Sequence, residues 1–175
     1  MMIDPLITIV IATSLALLFL LSARHKISAR RRFEAQLAAY RILPESLVSP
    51  AARVLPWLEV AVAISMLFAT TRLVGGLVAA LLLAMYALAM GINLHRGRSQ
   101  IDCGCGDTPQ ALSGLLLLRN LVLASGALLL VAPVATRPLG MLDMLFAILF
   151  VAACSFSYSM FEQLSRNHTL LTDKE

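Results

Sequence analysis

The residue types best suited to chemistry in this chain are Cys103 and Cys105, set in the run Ile101-Asp102-Cys103-Gly104-Cys105-Gly106-Asp107. The glycine between them accepts backbone angles that other residues resist. A disulfide closed across so short a ring is strained, and strained disulfides are the more easily reduced ones. The spacing therefore suits a redox couple that alternates between dithiol and bridged forms. Arg96, Arg98 and Arg119 are candidates for favouring the thiolate, while Asp102 and Asp107 act against it. Two other readings of the same pair stay open. Soft thiolates also suit copper or zinc, with His95 as a further ligand, although this donor set is thin for a closed tetrahedral site. An incidental pair of loop thiols is the third, because C-x-C is a weaker signal than C-x-x-C. The remaining cysteine, Cys154, reads first as a small hydrophobe in an apolar helix, with a redox role as its alternative.

The surrounding chain must be read as a membrane protein. It has 175 residues, 59 % of them apolar and 14 % charged, with a mean hydropathy of +0.85. A soluble domain carries about a quarter charged residues. A water-soluble core of this length could not hide so much apolar surface, so the solvent is lipid. The formal charge of +4 invites a nucleic-acid reading. The basic residues flank apolar runs instead, and no aromatic residues interleave with them as a stacking platform. No nucleic-acid partner is expected. The first run has no positive region before it and no A-x-A-like site after it, so it is expected to stay as a helix.

Five runs are long enough to cross about 30 Å of hydrocarbon: residues 5–23, 51–69, 73–94, 112–132 and 139–161. Between the first two, residues 28–43 are expected to form an amphipathic helix, lying in the headgroup region or packed on the bundle, with Phe33, Leu37 and Tyr40 on one face and Arg30, Arg31, Glu34 and Arg41 on the other. Pro44 and Pro50 are expected to break the path before the second span. Ala80, Ala84, Ala87 and Gly91 form a small-residue stripe expected to pack helices closely. The two cysteines fall in a loop over 95–111, at the mouth of the bundle. The whole chain reads as one all-α membrane domain.

Five spans place the long Arg24–Arg53 stretch, the cysteine loop and the C-terminal tail on one side. Eleven Lys and Arg residues lie there, against only Arg72 and Arg137 opposite. That bias puts the loop on the cytoplasmic face. Glu59 is expected about one to two turns below that side and Arg119 about two, where lone charges are costly. A Glu59–Arg119 ion pair with Asn120 alongside is the expected arrangement, and separate snorkelling to the headgroups is the alternative.

The order of several short motifs resembles a known family. Arg24-His25-Lys26 is followed by Ala39-Tyr40-Arg41-Ile42-Leu43-Pro44 and by Leu55-Pro56-Trp57-Leu58-Glu59. Ile92-Asn93-Leu94-His95-Arg96-Gly97-Arg98, then Ile101-Asp102-Cys103-Gly104-Cys105, then Leu118-Arg119-Asn120 complete the set. Together they resemble the MauE family of methylamine-utilisation proteins, related to the DoxX-like membrane proteins. The resemblance covers roughly Arg24 to Leu123. It departs after the second cysteine, where Gly106-Asp107 stands in place of the usual Phe-Gly.

That resemblance implies a four-helix core plus one, in the bacterial inner membrane. It implies a role in maturing the disulfide-rich small subunit of methylamine dehydrogenase or a similar periplasmic enzyme, alongside a thioredoxin-like MauD-type partner. Cys103 and Cys105 would be the exchanging thiols, and Glu59, Arg119, Asn120, Asn93 and Cys154 would shape the pocket beneath them. The layout is also similar to the quinone-linked thiol oxidases DsbB and VKOR, whose C-x-x-C is absent here, and so implies a quinone as acceptor. It favours the periplasmic face for the loop, against the charge count. A transporter or binding protein for a soft metal or small solute, and a membrane scaffold for the partner, are the competing functions.

Overall fold

The computed structural model of the protein describes residues 2–98, 101 and 112–172. Among them run six helices: α1 Pro5–Ser28, α2 Arg30–Ala39, α3 Glu45–Leu67, α4 Arg72–His95, α5 Gly114–Leu129 and α6 Met141–Thr172. The first opens on a cap written in the sequence. Asp4 is extended, its carboxylate accepts the Leu6 N–H at 2.8 Å, and Pro5 occupies a position whose missing N–H is no loss.

Side chains from α1, α3, α4 and α5 make one apolar core, including Phe19, Met66, Leu83 and Ala127. α6 lies outside it, packed on α1, and turns Ile148, Leu149 and Phe150 outward. Leu81, Leu88 and Val122 are likewise exposed on α4 and α5. Such surface is stable only against hydrocarbon. The molecule is a multi-helix membrane bundle.

Among the described residues four helices are long and apolar enough to span: α1, α3, α4 and α6 over Met141–Phe161. The expected span at 112–132 appears as the 16-residue α5, about 24 Å at 1.5 Å per residue. Its axis is prolonged by tight i to i−3 bonds, Leu130 to Ala127, Val131 to Leu128 and Ala132 to Leu129. The interfacial helix is shorter than expected, ten residues instead of the sixteen of 28–43, because α1 continues through Ser28 and Arg41 turns away with φ +48°.

Pro44 precedes the first residue of α3 as expected, but Pro50, expected to break the path too, sits inside the helix together with Pro56. Membrane helices tolerate proline where neighbours hold the segment, and Val48 and Ala52 on either side of Pro50 are buried. Of the small-residue stripe, Ala80 and Ala87 are buried as expected and Ala84 is exposed, while the tightest approaches are made by Gly75 and Gly76. A Cβ on Gly75 would stand 2.9 Å from the Met66 nitrogen of α3, and one on Gly76 would stand 3.0 Å from the Ala127 oxygen of α5.

The N-terminal end is tied to the connection between α5 and α6. The Ile3 N–H donates to the Pro133 oxygen at 2.9 Å, and the Ala135 N–H donates to the Ile3 oxygen at 2.8 Å. Arg137 then bridges two carboxylates, Asp4 at 2.9 Å and Asp143 at 2.9 Å. The guanidinium holds the Asp4 carboxyl below the usual carboxylate range, and the two carboxylates raise the Arg137 pKa.

Candidate functional site

The opposite end of the bundle concentrates the buried polar chemistry. Phe19, Ala23 and Lys26 follow one another at steps of four and three along α1, and all three are buried. The core face of α1 thus ends in an ammonium that is 4 % exposed. Its partner is Glu59, in the interior of α3. The Tyr86 hydroxyl of α4 donates to the same Glu59 oxygen at 2.7 Å, and Lys26 Nζ lies 3.4 Å from the Tyr86 oxygen. Two ring faces complete the enclosure, with Nζ 5.2 Å from the centroid of Phe33 on α2 and 4.7 Å from that of Tyr86. Four helices therefore contribute one group each. A charged pair at this depth is tolerable because each partner neutralises the other and the hydroxyl and ring faces replace lost water.

This arrangement corrects the expected Glu59–Arg119 ion pair. Glu59 Oε1 is taken by Lys26 and Tyr86, and Oε2 accepts no hydrogen bond among the described residues. Arg119 is buried on α5 and places its guanidinium 5.5 Å from the ring centroid of Tyr158 on α6. Asn120 is buried beside it in sequence. Asn93 is fully buried in the last turn of α4: its side-chain N–H donates to the Ala89 oxygen at 3.1 Å, its Oδ1 accepts from Arg98 at 3.2 Å, and its carbonyl accepts the Arg98 N–H at 2.9 Å. Cys154 is a free thiol on α6, one turn before Tyr158. The expected supporting residues are thus distributed between separate contacts.

Cys103 and Cys105 lie outside the described residues, but the ends of their segment do not. The Leu112 N–H donates to the Ile101 oxygen at 3.2 Å, so the chain leaves and returns at one place. That place is built on Tyr40, Met90, Leu112 and Leu116, with Ile101 packed against them. His95 is exposed, and no group of three His, Cys, Asp or Glu side chains suited to a metal occurs among the described residues.

Tyr40 and Met90 also belong to the wall of a cavity of about 280 Å³ beneath α2. It is lined by Leu37, Leu55, Met85 and Ala89 among other apolar groups, and its polar groups include Lys26 and Tyr86. Neither Lys26 nor Tyr86 stands out by composition. Lys26 sits in a basic cluster that reads as headgroup contacts, and only its register with Phe19 and Ala23 marks it as buried.

Comparison with known proteins places this architecture. Residues 4–133 match the family model described as methylamine utilisation protein MauE. The chain belongs to the MauE family. The matched region takes in the four core helices and stops before α6, so the MauE relationship attaches to the bundle that holds the Lys26–Glu59 pair. The MauE protein of Paracoccus denitrificans is 39 % identical over 129 residues, covering 73 % of this chain and 69 % of the relative. That of Methylophilus methylotrophus is 36 % identical over 132 residues, covering 74 % and 70 %, and that of Methylorubrum extorquens is 36 % identical over 139 residues, covering 75 % of each. No solved structure matches.

Proposed function

We propose that this MauE-family protein acts in methylamine utilisation as an inner-membrane thiol–disulfide protein, assisting disulfide formation in a periplasmic amine dehydrogenase small subunit with a thioredoxin-like MauD-type partner. The supporting observation is the closure of the C-x-C segment: Ile101 and Leu112 hold its two ends together at 3.2 Å on the end of the family-matched bundle. The two cysteines stand between these anchors in the sequence, two positions apart, the spacing of a pair that exchanges with one incoming protein.

The exchange balances without a further cofactor. A substrate thiolate attacks the Cys103–Cys105 bridge and forms a mixed disulfide, releasing one cysteine as thiolate. The second substrate thiolate then displaces the other, leaving an oxidised substrate and a dithiol C-x-C. A disulfide on the thioredoxin-like partner re-forms the bridge by the reverse sequence and carries the two electrons away. A quinone is an alternative final acceptor.

The test is labelling of Cys103 and Cys105 in intact cells with a membrane-impermeant maleimide, in a Cys154→Ser background. Labelling that appears only after reductant supports a bridged pair on the periplasmic face. Labelling that needs opened cells puts the loop inside, as the basic residues suggest. A Cys103→Ser, Cys105→Ser variant that still supports substrate disulfide formation ends the redox reading and leaves a scaffold.

A further inference from the structure

The thiol chemistry proposed above makes no use of the cavity beneath α2. We propose that this cavity is a binding site for a neutral, membrane-dissolved molecule whose apolar body carries a carbonyl oxygen. The inference is independent of the role of the cysteines.

Three features define the ligand. Apart from Gln36, the walls from the α2 region, α3 and α4 are mainly apolar: Leu37 and Ile42, Leu55, and Met85 and Met90. Such a lining selects a hydrocarbon body, and the two methionines adapt to an irregular or flat one. Second, Lys26 and Tyr86 line the same space. A lysine ammonium has three N–H donors. Glu59 takes one, and the Tyr86 oxygen lies at a long 3.4 Å, so donor capacity remains for an acceptor on a ligand.

Third, the head must be uncharged. Lys26 is already neutralised by Glu59. A carboxylate or phosphate entering here would meet no net positive charge and would approach the unbonded Glu59 Oε2. A carbonyl takes a hydrogen bond from the ammonium without adding a buried charge. Anionic headgroups are better served on the far face of α2, where Arg30 and Arg31 are exposed.

The experiment uses the full-length protein with all three cysteines replaced by serine, in nanodiscs of neutral phosphatidylcholine. It is photolabelled with 4-decylbenzophenone, whose excited carbonyl inserts into nearby C–H bonds, and labelled positions are read by peptide mass spectrometry. Saturable labelling is expected between Met85 and Met90 and around Leu37–Leu43. A decyl-substituted benzoquinone should compete and decylbenzene should not. Ala89→Phe, which fills the cavity, should weaken labelling about tenfold, while Leu81→Phe on the lipid face leaves it unchanged. Equal competition by decylbenzene removes carbonyl recognition and overturns the proposal. Stronger competition by decanoate overturns it in favour of an anion site, and labelling spread along α6 overturns it in favour of bulk lipid. The competition series is run without Ala89→Phe, so it decides the matter even if that variant misfolds. Failure here leaves the thiol reading untouched, because no cysteine takes part.

Discussion

Lys26 and Glu59 are 33 positions apart and form a buried ion pair that joins the last turn of α1 to the interior of α3. Both are almost wholly excluded from solvent, so neither charge is tolerable without the other. The pair acts as a register mark: sliding α1 by one turn against α3 would strand both groups.

Lys26→Met is expected to destabilise the bundle by about 3–5 kcal/mol, because it leaves Glu59 as an uncompensated buried charge. Adding Glu59→Leu to it should recover most of that loss. Reversible unfolding in mixed micelles measures both. A double variant as unstable as the sum of its parts would mean the two side chains do not interact in the membrane.

Glu59→Gln and Arg119→Gln should instead be additive within about 0.5 kcal/mol, since Glu59 is held by Lys26 and Tyr86 and Arg119 stacks near Tyr158. A coupling of 1 kcal/mol or so in the same unfolding assay would restore the Glu59–Arg119 pairing that depth alone suggests.

Tyr86→Phe keeps the ring over the ammonium but removes the 2.7 Å hydrogen bond to the carboxylate. A loss of about 1.5–3 kcal/mol is expected, the range for bonds to charged groups. Unfolding measured beside Tyr86→Leu separates the hydroxyl from the ring.

Gly76→Ala should force α4 and α5 apart and cost about 1–3 kcal/mol, because the added carbon meets the Ala127 backbone oxygen at 3.0 Å. Gly126→Ala on α5 meets nothing within 4 Å and should stabilise by up to about 1 kcal/mol through helix propensity. Thermal unfolding of the two variants side by side gives the comparison.

The Asp4–Arg137 contact has a defined pH window. The folded Asp4 carboxyl titrates below its usual value, so its contribution is fully present above the unfolded pKa of about 3.9 and is lost as pH falls through the folded value. The stability difference between the protein and Asp4→Asn should therefore be flat from about pH 5 to 8 and shrink only below about pH 4. A difference that changes near neutrality would assign the effect to another group.

Hydropathy made the membrane class and the main helices legible, because burial in lipid selects for side-chain type regardless of partner. The positions that escaped are those where a partner decides. Pro50 reads as a breaker by its own chemistry, yet α3 runs through it between buried Val48 and Ala52. Lys26 reads as a headgroup anchor until its register with Phe19 is set against Glu59 on another helix. Arg119 and Glu59 were both recognisable as needing compensation, but depth in the membrane does not say which way each side chain faces. The C-x-C motif was plain in the sequence, and its anchoring by Ile101 and Leu112 was not, because a backbone bond carries no residue signature.

The contact of Ile3 with Pro133 and Ala135, reinforced by Asp4 and Arg137, has a consequence for biogenesis. The first helix to leave the ribosome owes its lower fastening to residues made more than a hundred positions later. Once α3 and α4 are made, α1 can pack along them from Ala12 to Lys26, but Ile3 and Asp4 still lack their partners. Synthesis of the connector before α6 is therefore the step that completes the fastening of α1, and a nascent chain stalled before it would lack the tie at Ile3 and Asp4.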